Sequence, residues 1–395
     1  MSSRVIVAGV GMIPFAKPGT SESYDVMGAR AAGLALEDAG ISHADVQQAV
    51  VGYVYGDSTC GQAAVYRVGM TGIPVVNVNN NCSTGSSALF LARQLVESGA
   101  LDCVMALGFE QMQPGALQSH WNDRPSPFAR FDEVVDGLLG EQAPLALKYF
   151  GGAGKEYMDT YGATPELFAK VRAKASRHAA NNPLALFRKV VSAEDVMASP
   201  AVFPHVGMTK LMACPPTCGA AAAVLVSEAF ARRRGLDRSV AIVAQEMTTD
   251  RAEVFEKPSL IGMVGAGMTR EAAQRVYERA GIGPQDVNVI ELHDCFAQNE
   301  VLTYEALGLC PPGGAEKLVA DGDNTYGGRY VTNPSGGLLS KGHPLGATGL
   351  AQCTELVEQL RGKAGARQVE GARVALQHNL GLGGACVVTL YQANA

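Results

Sequence analysis

Short, nearly all-apolar runs alternate with longer stretches of helical periodicity along this chain. RVIVAGVGMIPF (4–15) reads as a first strand. A second strand, VVNV (75–78), runs into an asparagine-rich turn, and DCVMALG (102–108) and RVALQHNLG (373–381) are further buried strands. Apolar runs of this length without polar alternation predict strands covered on both faces. Periodic strand–helix structure resumes at GAAAAVLVSEAFARRRGL (219–236).

The pattern repeats itself. AAGLALEDAGISHADVQQAV (31–50) and AAQRVYERAGIGPQDVNVIE (272–291) align on Gly40 and Gly281, sharing Ala-Ala, Ala-Gly-Ile and Asp-Val at one offset. Each predicts an amphipathic helix stopped by glycine, then a turn, then an apolar strand. CSTGSSALFLARQLVESG (82–99) and GATGLAQCTELVEQLRG (346–362) form a second pair, each with Thr-Gly near the helix start and a face of small residues. Two echoes in the same order imply a duplicated α/β unit. Residues 113–207 differ, with the only tryptophan (Trp121), clustered Pro and Arg, and a polar helical stretch over 165–183. They read as an insertion with structure of its own. The expected organisation is therefore a first half of 1–112 and 208–245, an inserted segment of 113–207, and a second half of 246–395.

Composition narrows the function. Hydrophobic residues at 47% and charged residues at 18% fit several buried cores, and a net charge of −6 with no basic block argues against nucleic acid as a partner. Nine scattered cysteines, among them an isolated Cys214–Cys218 spacing, fit free thiols in a reducing, cytoplasmic setting. No apolar run is long enough for a membrane span. GVGMIP (9–14) lacks the third glycine of a dinucleotide fingerprint, and the histidines lack metal-ligand spacing.

Four places carry candidate chemistry. Cys82 follows a strand and opens a helix, where free N–H groups and the helix dipole favour a thiolate. His293, Asp294 and Cys295 end an apolar strand, the usual place for ligands in open α/β sheets. His343 sits between glycine turns ahead of a helix, in NPSGGLLSKGHPLGATG (333–349). QHNLGLGGA (377–385) offers backbone N–H groups after a strand, beside His378. The other four histidines read as surface or helix residues. The Lys and Arg of 165–190 read as a solvated face, or as contacts to a nucleotide-tailed cofactor.

Taken together, NVNNNCSTGS (77–86), ELHDCF (291–296), GDNTYGG (322–328), NPSGGLLSKGHPLGATGLAQC (333–353) and ALQHNLGLGG (375–384) resemble the thiolase family, and within it the sterol-carrier-protein type of 3-ketoacyl-CoA thiolase. The resemblance runs nearly end to end and is weakest over 113–207. It implies the thiolase fold: two duplicated βαβαβαββ halves in a five-layer αβαβα sandwich with an inserted loop domain. It implies Cys82 as nucleophile and His343 as the base that activates it. His293 stands where most members have a water-holding asparagine, and Cys295 is the acid/base thiol. Most members carry that second cysteine where this chain has Asn379. Gly381 would supply an oxyanion N–H. Acyl-CoA and CoA would be the substrates, with no metal or redox cofactor, in a homodimer or tetramer.

Cys218 stands where the family commonly has aspartate, and the lipid-transfer domain that follows the thiolase in some relatives is not expected after residue 395. Three other functions compete: a partner-dependent aldolase on steroid side-chain CoA esters, a lipid or acyl-CoA carrier, and a condensing enzyme. Retention of Cys82, His293, Cys295 and His343 favours the thiolase.

Overall fold

A computed structural model describes residues 3–115, 119, 121–140 and 143–394. Strand β1 (Val5–Met12) is buried along its whole length. Val5 and Val7 face one core while Ile6 and Ala8 face another, as a strand with two dry faces requires. The strands that follow are β2 (Gln48–Gly52), β3 (Val75–Val78), β4 (Cys103–Glu110), β5 (Ala201–Phe203), β6 (Met208–Thr209), β7 (Gly219–Ser227), β8 (Val240–Thr248), β9 (Val289–Glu291), β10 (Val331–Thr332), β11 (Val374–Gly381) and β12 (Ala385–Ala393). β5 and β6 pair with each other; the rest form one sheet in the order β10-β9-β11-β12-β8-β1-β7-β4-β2-β3.

That order is the duplication made visible. Exchanging β1, β2, β3, β4 and β7 for β8, β9, β10, β11 and β12 maps the sheet onto itself. β2 is parallel to β3 and β4, as β9 is to β10 and β11. The halves join where Val5 meets Ile242 and Ile6 meets Ala241, an edge pairing the layered expectation did not include. The repeat extends to single hydrogen bonds. Helices Tyr24–Ala39 and Ala266–Ala280 stop at Gly40 (φ 68°) and Gly281 (φ 64°), the left-handed cap that glycine takes without strain. In the next turn, Asp45 and Asp286 accept the backbone N–H of Ser42 and Gly283 at 3.0 and 2.9 Å.

Helices Thr84–Glu97 and Thr348–Leu360 pack on each other and touch strands of both halves, which makes the middle of the five layers. Leu89, Val96, Leu350 and Leu356 share that core with Val104 and Ala375. The contact is very close. A Cβ on Gly85 would lie 2.8 Å from the Gly346 carbonyl, and one on Gly349 would overlap Ser86 and come within 2.7 Å of Asn379.

The segment between β4 and β7 folds into helices Ala129–Leu139, Leu145–Tyr161, Pro165–Ala179 and Ala193–Met197, packed around Tyr149, Tyr157 and Phe168. The reading of 165–190 as a solvated face fails at two positions. Lys174 is buried and paired with Glu300, and Arg172 is buried and donates to Ser340 Oγ at 2.7 Å. Lys170, Arg177, Arg188 and Lys189 remain exposed. His43 and His178, read as surface or helix residues, are also buried. β8 crosses the expected boundary at residue 246 and pairs with β12 over most of its length. Among the described residues, no helix is long and apolar enough to cross a membrane.

The close approach makes two glycine substitutions differ in sign. Gly349→Ala should destabilise the protein by about 1–3 kcal/mol or more through overpacking. Gly33→Ala, in the same kind of helix but facing open space, should stabilise it by about 0.5–1 kcal/mol. Urea unfolding of the two variants checks both signs.

Candidate active site

The turn after β3 sets Cys82, the candidate nucleophile. The helix begins at Thr84 with Ser83 as its cap, so Cys82 lies in the turn before the helix and not in its first turn. Asn81 takes φ 51°, a left-handed conformation that asparagine tolerates better than most residues. The neighbouring hydroxyls lock the turn. Ser83 Oγ donates to the Asn80 carbonyl at 2.9 Å, and Thr84 Oγ1 donates to the Asn81 carbonyl at 2.6 Å. Cys82 Sγ, almost fully buried, points to Asn81 Oδ1 at 3.5 Å.

The second half delivers two histidines to this sulfur. Ring nitrogens of His293 and His343 and the Cys82 sulfur all lie within 4.8 Å of one another. The two rings meet edge to face at 5.0 Å. His343 is held at its backbone, where its N–H donates to Thr217 Oγ1 at 3.1 Å. Its Nδ1 is 2.6 Å from Thr348 Oγ1, whose proton goes to the Pro344 carbonyl at 3.1 Å. Nδ1 therefore carries the ring proton and Nε2 a lone pair. That Nε2 is buried without a partner among the described residues. Burial pushes His343 down to about 3 and holds His293 well below the usual imidazole range, with His343 and His378 adding to the latter. Both rings rest neutral.

Cys295 is buried beside them. Burial pushes its thiol well up, and the nearby Cys214 and Cys82 thiols add to the effect. Along the sequence only its spacing to Cys218 marks Cys214, and that spacing alone implies no site. Its N–H donates to the Cys295 carbonyl at 2.9 Å, which brings it to the site. Gly381 ends β11 against the nucleophile turn, where any side chain would overlap the Asn80 carbonyl. The Leu382 amide, one residue further on, faces the sulfur together with Cys82's own N–H. These two amides pull the Cys82 thiol down, but burial, followed by the charge of Glu110, wins and pushes it up to about 12.

Three buried carboxylates hold the loops in place. Glu110, at the end of β4, accepts N–H groups from Val54, Tyr55 and Gly346 at 3.1, 2.9 and 3.0 Å. Burial raises it to about 7 despite these bonds. Glu291 accepts from Ser335 N and Oγ at 3.1 and 2.8 Å and pairs with Lys341 at 3.2 Å. Asp294 accepts the Leu338 N–H at 2.7 Å. The segment carrying His343 is thereby tied to the strand end carrying His293 and Cys295. A cavity of about 450 Å³ opens beside Asn81, lined by Tyr55, Trp121, Arg124, Phe128 and Leu382. Two imidazoles and a thiol at this spacing are also a donor set that soft cations accept once the thiol loses its proton.

Two family models match: "Thiolase, N-terminal domain" over residues 5–229 and "Thiolase C-terminal domain-like" over residues 249–391. Sterol carrier protein 2 of Oryctolagus cuniculus is 57% identical over 394 residues, covering 98% of this chain and 72% of that protein. The benzoylsuccinyl-CoA thiolase subunit BbsB of Thauera aromatica is 36% identical over 386 residues, covering 97% and 96%. Among solved structures, the Ltp2–ChsH2(DUF35) aldolase superposes with a TM-score of 0.82 at 23% identity, covering 99% of this chain and 98% of that one. Human mitochondrial 3-ketoacyl-CoA thiolase does so at 0.75 and 18% identity, covering 100% and 99%. At these identities the superpositions speak for the fold alone.

A buried neutral Cys–His pair has a kinetic signature. Alkylation of Cys82 should climb about tenfold per pH unit between about pH 7 and 9, because only the thiolate reacts. Stopped assays with a small haloacetamide check this, and a rate independent of pH across that window would mean a resting thiolate–imidazolium pair.

Proposed function

Because the chain belongs to the thiolase family, we propose that it cleaves 3-ketoacyl-CoA thioesters with CoA through an acyl group carried on Cys82. The observation that supports this most is the bare, buried Nε2 of His343 grouped with the Cys82 sulfur. Nε2 takes the thiol proton as the sulfur attacks the 3-keto carbon. We assign the alkoxide that forms to the Cys82 and Gly381 N–H groups, with the Leu382 amide beside the sulfur. The C2–C3 bond then breaks, leaving the acyl group on sulfur and an enolate on the departing thioester. Cys295, a protonated thiol at rest, gives its proton to C2. The resulting thiolate takes the proton of an incoming CoA thiol, whose sulfur attacks the acyl carbon and frees Cys82 as a thiolate, to which His343 Nε2 returns its proton. Protons and electrons balance over the cycle, and CoA enters only as a substrate.

The cavity beside Asn81 is the room we assign to the acyl chain. Its aromatic lining suits a branched or ring-bearing tail better than a bare acetyl group. Val76 on the outer edge strand β3 is 42% exposed, which supports a homodimer formed there. Nine free cysteines support a reducing, cytoplasmic setting. The sterol carrier protein name of one relative raises lipid carriage as a second reading; a carrier has no use for the grouped thiol and imidazoles.

The assay follows loss of enolate absorbance from acetoacetyl-CoA and from a 2-methyl-branched 3-ketoacyl-CoA on addition of CoA. Wild type should turn over at least one, Cys82→Ala neither, and His343→Ala should lose about 10²–10⁴-fold. Folded wild type inactive on both would favour the carrier or the aldolase. In the same assay Cys295→Ser should lose most of its activity while Cys214→Ser keeps it; the reverse would move the acid/base role to Cys214.

A further inference from the structure

Asn379 stands where the resemblance puts a catalytic thiol in most thiolases, and the proposed steps give it nothing to do. It is wholly buried, and its amide is held on all sides. Nδ2 donates to the Cys82 carbonyl at 3.1 Å. A carbonyl only accepts, so that atom is the NH₂ group. The other end agrees. Gln377 Nε2 donates to the Gly349 carbonyl at 2.7 Å and to Ser86 Oγ at 2.8 Å, leaving the Ser86 hydroxyl to donate to Asn379 Oδ1 at 2.9 Å. The chain of bonds has one consistent direction, and both ends are anchored on backbone carbonyls.

This direction decides the state of His293. Its Nδ1 lies 3.0 Å from Asn379 Nδ2, a group with protons to give and no lone pair to offer. A neutral ring facing such a donor must accept there, and so carries its proton on Nε2. The structure thus assigns Asn379 as a positioning residue that holds His293 in the Nε2–H form. His343 has the opposite form, with Nδ1 protonated and Nε2 bare. The two histidines then differ in function. One can take the thiol proton, and the other presents a fixed N–H donor to a thioester oxygen without carrying a charge. The assignment also weakens the three-residue grouping as a metal site, because a protonated Nε2 has no lone pair for a cation. Aspartate at 379 would reverse the arrangement: a carboxylate accepts, which draws the ring proton to Nδ1 and bares Nε2. The role of the donor deepens the thiolytic reading and rests on it; the tautomer does not.

The test reads the ring directly. The full chain is labelled with ¹⁵N-histidine, and long-range proton–nitrogen correlation spectra are recorded, with His293→Gln assigning the signal. Wild type should show a neutral His293 protonated at Nε2, and Asn379→Asp should move that proton to Nδ1. A wild-type proton on Nδ1, a doubly protonated ring, or a folded Asn379→Asp protein with the proton still on Nε2 would each overturn the inference. If Asn379→Asp does not fold, Asn379→Leu removes the donor to Nδ1 at similar volume. It should give a mixture of both ring forms, and a single unchanged form would count against the assignment. The spectra are taken on resting protein, so a chain inactive on 3-ketoacyl-CoA would overturn the proposed reaction without touching this result.

Discussion

The site exists because backbone can touch backbone where the two halves meet. Gly85 and Gly108 in one half, and Gly346 and Gly349 in the other, leave no room for a side chain between them. With Cβ atoms there, the helices Thr84–Glu97 and Thr348–Leu360 would stand further apart. Cys82 and His343, each just ahead of one of these helices, would then separate as well. A few tenths of an ångström matter to the proton transfer proposed between them. Glycine weakens a helix, and here that cost is offset by the tight central layer.

A second constraint follows from the first. A site formed between two packed halves is dry, and dryness sets every proton affinity in it. Burial pushes Cys82 and Cys295 up and His293 and His343 down, so the resting groups are all neutral. The loops are held by Glu110, Glu291 and Asp294, which accept backbone N–H groups and, at Glu291, also the Ser335 hydroxyl and Lys341. Carboxylates suit this task because each oxygen can take more than one donor, so one side chain closes several loops. Glu110 has a further effect on the thiol: its charge opposes ionisation of Cys82, against the two amides that favour it.

Much of this was legible along the chain. The echo around Gly40 and Gly281 is a pattern of local structure, with helix, glycine stop and aspartate turn, and local patterns survive in sequence. Cys82, His293, Cys295 and His343 stood out because glycine, asparagine and proline around them mark backbone bent for a purpose. Other features were not legible. Lys174 and Arg172 look like ordinary charges on a polar helix, and only the contact with Glu300 and Ser340 buries them. Cys214 has no informative neighbour in sequence and reaches the site through one bond to the Cys295 carbonyl. Leu382 brings its amide to the sulfur beside Gly381, a closeness set by how β11 turns into β12.

The sequence by itself determined the duplicated α/β architecture, the family, and the candidate side chains for chemistry, because these rest on periodicity, punctuation and residue type. Tertiary structure alone decided which protons those side chains hold. Cys82 and Asn379 are 297 residues apart, and His293 and Asn379 are 86 apart. No local rule relates them. Their hydrogen bonds form only after the halves close, and hydrogen bonds and burial set where protons rest.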